Sequence, residues 1–353
     1  MSHAPHGMEP AANPEVDGTD GSWDLTAPLR EAIAEGERLI AAAPFIRTEA
    51  DLLEGYDYLA GRIRMAMQTA FDYDLDRPLF VQPTHQFSRQ GLDNPDAMYF
   101  NAYLREGVEY VIRGRRGTSA DLSFQVMGGA YTADSAATSL MAFDDRELER
   151  DAEGSFEFTY TAEPGAKTLI VREVFCDWDT EEPGWISIER ADALGAAAKP
   201  LTRALLTKKY EVAARSITSS IRTWFAFPHW FQYAEEANTL TAPVSTPGGL
   251  ASQRSSIGHY ELGEDEAMVV SVPRCDDAAY QAIQETTGHR TGSMMLRWQR
   301  LERDLGPEDG PSVEVVKLGD VASLLPHLTP LTHEQYAARI AARQRHIARR
   351  MIS

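Results

Sequence analysis

Two stretches of this 353-residue chain read as unequal copies of one β-rich unit. In the first, Tyr103 leads the run Tyr110-Val111-Ile112-Arg113, and a second run ends at Phe124-Gln125. In the second, Tyr260 leads Met268-Val269-Val270-Ser271-Val272, and the matching end is Tyr280-Gln281. These landmarks lie 157 and 156 positions apart. Further on, Leu169–Arg172 matches Met294–Arg297 and Trp185–Glu189 matches Ser312–Val316, but at Arg172 and Arg297 the offset has fallen to 125. The second copy is therefore short by about 31 residues between the landmarks. A long-period duplication constrains architecture before any single residue does, because each copy must bury the same apolar face in the same way.

The duplication extends back into helices. Leu52, Tyr56, Leu59, Ile63 and Met67 recur at spacings of three and four behind a capping-box start, Thr48 followed by Asp51. Leu205, Leu206, Ala213, Ile217, Ile221 and Trp224 form the corresponding stripe ahead of the second copy. A helix over 23–43 precedes both and is ended by Pro44. Between the helices, short Val/Ile/Tyr/Phe runs alternate with Gly, Asp and Pro turns, the pattern of an antiparallel sandwich. The expected class is α+β, mainly antiparallel β, with two helix-plus-β-sandwich-like repeats, the second shortened, and a C-terminal helix. The expected divisions are a disordered lead over 1–22, helices and first sandwich over 23–195, helix and shortened second β domain over 196–331, and a basic helix over 332–353. That helix opens on a Thr332/Gln335 capping box and carries Arg339, Arg343, Arg345, Arg349 and Arg350, which suit docking on an acidic body or another subunit.

Charge restricts the partners. Thirty-four Lys and Arg against 53 Asp and Glu leave a net charge of −19, which disfavours nucleic acid and anionic membranes. Two cysteines without a Cys-x-x-Cys point to a reducing, cytoplasmic setting with no disulfide framework. No apolar stretch is long enough for a membrane span. Phosphate-loop, dinucleotide, nucleophile-elbow and zincin motifs are absent, so no cofactor and no metal are expected. Asp72-Tyr73-Asp74-Leu75-Asp76 resembles a calcium loop, but Arg77 stands where Gly is required and Pro83 where a bidentate Glu is required.

Candidate chemistry gathers at a few places. Asp93-Asn94-Pro95-Asp96 is a sequence for tight Asx turns that could also present Asp93, Asp96 and Tyr99 into a pocket as acid/base groups. Arg113, Arg172 and Arg297 sit in or beside apolar strands. Such arginines either find a carboxylate at the sheet face or, functionally, bind a ligand carboxylate or stabilise a developing anion. His289 and Arg290 lie between Gly288 and Gly292, a tight connection able to aim them inward. Trp224 to Tyr233 is the most aromatic stretch. Its plain role is a core joint, and its functional role would be an apolar wall with polar tips. The catalytic set expected on these grounds is Asp96, Tyr99, Arg172, His289 and Arg290. The ligand-binding set is His85, Trp224, Phe227, His229, Trp230, Tyr233, His259, Tyr260 and Arg297.

Four stretches of the first copy, 93–99, 110–117, 154–158 and 169–172, with 287–298 in the second, together resemble bacterial proteins of the domain-of-unknown-function family 1214. The resemblance covers most of residues 80–330. It implies β-sandwich-like domains and no particular reaction. Members of that family carry a longer segment after the position of Gln281, so the shortened second copy is a departure from their pattern. The leading functional expectation is a cofactor-independent lyase or isomerase acting by proton transfer on an apolar or aromatic small molecule. The alternatives are a non-catalytic ligand-binding or homo-oligomeric assembly protein and a metal-dependent hydrolase.

Overall fold

The missing 31 residues map onto two strands. In the computed structural model, which describes residues 23–132, 134–193, 197, 200–229, 236–246, 249–250, 253–273, 279–282, 289–326 and 331–350, the first copy is built from β1 (Ala97–Tyr103), β2 (Glu109–Arg115), β3 (Asp121–Gly128), β4 (Thr138–Asp144), β5 (Ser155–Thr161), β6 (Ala166–Val174) and β7 (Trp185–Arg190). These form two antiparallel sheets of order β1-β6-β3-β4 and β5-β2-β7. In the second copy, β8 (Thr239–Leu240) and β9 (Arg254–Glu261) join β12 (Thr291–Trp298) in one sheet. There, β10 (Glu266–Pro273), β11 (Ala279–Ala282) and β13 (Ser312–Lys317) form the other. The pairing of β1 with β6 is repeated by β9 with β12, and that of β2 with β7 by β10 with β13.

Only residues 283–290 lie between β11 and β12, too few for counterparts of β4 and β5. The counterpart of β3 is also displaced: the four-residue β11 pairs with β10 instead of joining β12. The energetic consequence is visible in the cores. The first sandwich encloses Tyr110, Ile112, Phe124, Val126, Leu169 and Val171, all fully buried, with Phe143, Phe156 and Phe158 packed edge-on or stacked around Phe124. Among the described residues the second copy holds a far smaller cluster of Ala267, Val269, Val316 and Leu325. It cannot close a core of that size alone, and its β12-β9-β8 sheet is turned toward the first copy.

That contact explains why every residue of β3 is buried. Leu122, Phe124 and Val126 face the sandwich core, while Asp121, Ser123, Gln125 and Met127 point the other way. The polar side chains on that second face need partners. Arg300, just after β12, donates to Asp121 at 3.1 Å and also bonds Asp145, which Arg116 holds at 3.1 Å. The Gln125 amide donates to the Gly249 carbonyl at 3.1 Å.

The helices form a third layer. α1 (Ala27–Ala41), α2 (Glu49–Phe71) and α3 (Arg203–Ser220) share one core of Ala32, Ile40, Leu59, Ala66, Ala213 and Ile217. The Thr48/Asp51 capping box starts α2 as its sequence predicts. Tyr56 departs from the predicted stripe: it is exposed, and Gly55 packs instead, where a Cβ would lie 2.5 Å from Ile40. α3 passes directly into a π-helical turn over Ile221–Phe225.

The C-terminal helix α4 (His333–Arg349) docks through its basic side on acidic loops of the first copy. Arg343 bonds Asp96, His346 lies 3.2 Å from Asp179, and Arg349 reaches the Glu181 carbonyl at 3.2 Å. Arg350, fully buried, lies 3.7 Å from Asp93. Among the described residues no helix is long and apolar enough to cross a membrane.

Replacing Arg300 by Met strands the buried Asp121 carboxylate and cuts a tie between the copies. The expected loss is about 3 kcal/mol, the usual cost of removing one partner of a buried pair. Urea denaturation should show a lower midpoint at unchanged slope, and an unchanged midpoint would refute the role given to this contact.

Candidate functional site

Alternation along a strand sends residues two apart to one face. On β6 the odd positions Leu169 and Val171 enter the sandwich core, so Ile170, Arg172 and Val174 emerge on the face turned toward the second copy. The equivalent residues around β12, at the same offset of 125, are Met295, Arg297 and Gln299. All six line one cavity of about 600 Å³ between the copies. β1 adds Ala97, Tyr99 and Asn101, and β9 adds Ile257.

A third wall comes from the helical layer. A π-helical turn is wider than an α-turn and re-aims the side chains it carries. Here it directs Thr223 and Trp224 to the cavity, and Phe227 follows. Trp224 contacts Phe227 and Tyr131, with ring centroids 5.4 and 5.2 Å apart. Gly91 fits beneath the indole with φ of +58°, and a Cβ there would sit 3.1 Å from the ring.

The fourth wall is the loop 90–94, and it is anchored from three sides. Arg62, buried on α2, donates to the Arg89 carbonyl at 2.5 Å and to Ser220 at 3.3 Å. Asp93 accepts from Arg89 at 2.8 Å and faces Arg350. Asn94 makes the predicted Asx turn, its Oδ1 accepting the Asp96 N–H at 2.9 Å. The Tyr99 hydroxyl accepts the Asn94 N–H at 2.8 Å, which leaves its own proton available to the cavity.

Two guanidiniums define the polar end. Arg172 lies opposite Tyr99 in the β1–β6 register and opposite Ser123 in the β3–β6 register. Neither Arg172 nor Arg297 has a carboxylate within salt-bridge distance among the described residues. Arg113, by contrast, does find the carboxylates expected of a strand arginine, with Glu157 at 2.5 Å and Glu189 also bonded. Arg297 donates one bond to the Leu92 carbonyl. The buried Nη1 of Arg172 has no hydrogen-bond partner among the described residues. Burial holds the Arg172 pKa below the ordinary arginine value, and the positive charge of Arg297 pushes in the same direction. Burial also raises the phenol of Tyr131, against the pull of Arg172. The Thr223 hydroxyl, buried at the same cavity, is likewise without a partner. Apolar walls with a few convergent polar groups are the usual make-up of a small-molecule site.

Of the sequence-expected residues, Tyr99, Arg172, Arg297, Trp224 and Phe227 meet in this cavity. Asp96 faces away from it and is held by the Trp178 indole at 3.0 Å and by Arg343. His229 and His289 line a separate pocket of about 220 Å³, where His289 lies 3.0 Å from Glu54. Arg290 is exposed, 3.8 Å from Glu264. His259 is buried and Tyr260 packs over Gly292, both outside the cavity lining. Trp230 and Tyr233 lie outside the described residues. His85 is buried beside the lining residue Thr84, with its Nδ1 accepting the Phe87 N–H at 3.2 Å. No group of three or more metal-capable side chains occurs among the described residues.

Among the cavity residues that sequence reasoning passed over are Asn101, Tyr131, Thr223, Gln253 and Gln299. Gln299 had a usable signal, since the 125 offset pairs it with Val174 beyond the quoted match. Asn101 follows Tyr99 by two on β1 and so shares its face, whereas Tyr131, Thr223 and Gln253 stand on loops or the π-helical turn with no pattern to mark them.

No protein-family model matches the chain, and no curated protein matches it. Among solved structures it is similar to an uncharacterised protein from Burkholderia cenocepacia, at 25% identity over 84% of this chain and 97% of that one, with a TM-score of 0.74. That likeness supports the mixed α+β fold. The VPA0106 protein from Vibrio parahaemolyticus aligns over 81% of this chain and 100% of that one at 12% identity, but its TM-score of 0.31 carries no argument.

Burial, reinforced by Arg64 and Arg350, pulls the His85 pKa from 6.5 down to about 4. Between those values the unfolded chain binds a proton that the folded chain refuses. Stability should therefore be fully present above pH 6.5 and fall as the pH is lowered toward 4, by on the order of 3 kcal/mol. In H85Q that part of the pH dependence should disappear from urea-derived stabilities. Parallel curves for the two proteins would contradict this account.

Proposed function

We infer that the cavity binds a small apolar molecule carrying an anionic group, with Arg172 and Arg297 at the anion and the Trp224–Phe227 wall against the apolar body. The observation that carries this reading is the pair of arginines without carboxylate partners, among the described residues, in one largely apolar cavity of a chain whose net charge is −19. A buried guanidinium with an unmade hydrogen bond is costly, and an incoming oxyanion supplies both the charge and the acceptor. Removal of water from the cavity strengthens that attraction.

Binding is the activity this geometry supports best. Lyase or isomerase chemistry on the same ligand would draw on Tyr99, whose hydroxyl can donate into the cavity while Asn94 fixes its oxygen, and on Arg172 as stabiliser of a developing anion. Asp96, His289 and Arg290 would take no direct part, because they do not reach this space.

The test compares an acid with its neutral isostere, 2-naphthoate with 2-naphthamide, by ligand-observed NMR titration. The acid should bind at least tenfold more tightly, as a charge-assisted hydrogen bond of about 1.5–3 kcal/mol requires. R172Q should abolish the difference. Equal affinities, or no binding of either compound, would overturn the reading.

A further inference from the structure

Asp93 lines the cavity, but its carboxylate is already shared by Arg89 at 2.8 Å and Arg350 at 3.7 Å. Asp121 lies close enough to act on Arg172, but it is held by Arg300 at 3.1 Å. Asp134 is exposed, on the Thr132–Ser135 turn at the cavity rim. The remaining polar lining among the described residues is neutral and includes Asn94, Asn101, Gln253, Gln299, Thr84 and Thr223. Among the described residues, two positive charges of the lining, Arg172 and Arg297, are thus left without a paired carboxylate.

The duplication brings these two charges together. Arg172 and Arg297 occupy the same position in equivalent strands, β6 and β12, which face each other across the space. They are near enough for one charge to act on the other. Two like charges in a poorly solvated space repel, and a single negative charge between them would leave one unit unbalanced. Arg297 gives one of its donors to the Leu92 carbonyl, and the buried Nη1 of Arg172 is unpaired, so donors remain on both sides of the gap.

Resting on the anion-binding reading above, we propose that the ligand's head group is a dianion, a phosphate- or phosphonate-type group or a pair of geminal carboxylates, clamped between Arg172 and Arg297. The apolar body then lies along Trp224 and Phe227, with Ile257 and Leu250 on the opposite side. Asn101, Gln299 and Thr223 supply neutral hydrogen bonds to head-group oxygens that the arginines do not take. The duplicated strand pair acts as a two-armed clamp, one arm from each copy.

The test keeps shape and changes charge. Naphthalene-2-sulfonate and naphthalene-2-phosphonate share a tetrahedral head on one ring system, and at pH 8.5 they carry one and two negative charges. Isothermal titration of the full chain should give at least tenfold tighter binding of the phosphonate. 2-Naphthylmalonate, with two carboxylates on one carbon, serves as a third arm, and its matching or exceeding the phosphonate would identify paired carboxylates as the head. In R172Q and in R297Q the gap between phosphonate and sulfonate should fall below threefold, while R297K, which keeps the charge, should retain most of it. The wild-type comparison needs no variant, so a poorly folding substitution leaves the test intact. Sulfonate binding as tightly as both dianions, with naphthoate still preferred over naphthamide, would overturn the dianion proposal and spare the anion-binding reading. Loss of the naphthoate preference would remove both.

Discussion

The architecture depends on a sheet that cannot be left uncovered. The second copy lacks counterparts of β4 and β5, and its described core is the small cluster around Val269 and Val316. Apolar strand surface of that extent is unfavourable in water, at roughly 25 cal/mol for each Å² exposed. The β12-β9-β8 sheet is covered instead by the outer face of the first sandwich, which is why β3 is buried on both sides. The two faces do not match along their whole length, and the space left between them is the cavity.

Burying strand faces that carry polar residues requires compensation, and the molecule supplies it unevenly. Asp121 and Asp145 meet Arg300 and Arg116, a network that closes on itself and joins the copies. Asp93 and Asp96 meet Arg89, Arg350 and Arg343, which fixes the cavity loop and seats the C-terminal helix behind it. Arg172 and Arg297 are left out of both arrangements. The buried acids at this junction, Asp93, Asp121 and Asp145, each have an arginine partner, whereas Arg172 and Arg297 have no carboxylate partner among the described residues. The helical layer contributes shape: its π-turn turns Thr223 and Trp224 toward the same space.

Much of this fold was legible as pattern. The Thr48/Asp51 and Thr332/Gln335 capping boxes start helices where their spacing predicts. The offset of 157 matches β9 and β10, that of 125 matches β12 and that of 127 matches β13 to their first-copy equivalents, because strand pairing and burial act on both copies alike. Residues with a neighbour-independent reason to face the cavity, such as Arg172 and Arg297 on alternating strands, were also visible. The histidines were not. His85, His229, His259 and His289 are polar enough to attract a catalytic reading, but a histidine's role depends on what surrounds it, and these four are divided between a buried turn, a separate small pocket and a strand interior.

What the sequence determined by itself is the periodicity: which segments are helices and strands, that the β unit occurs twice, and that the second copy is short. Those follow from local propensity and from the period of apolar residues, which are properties of neighbours along the chain. Only the tertiary structure decided which face of each sheet meets the other copy, which carboxylates are already taken by Arg300, Arg89 and Arg350, and that the two arginines lining the cavity have none among the described residues. Pairing of charges is settled by distance in space between residues as far apart as Asp121 and Arg300, and no pattern along the chain encodes it.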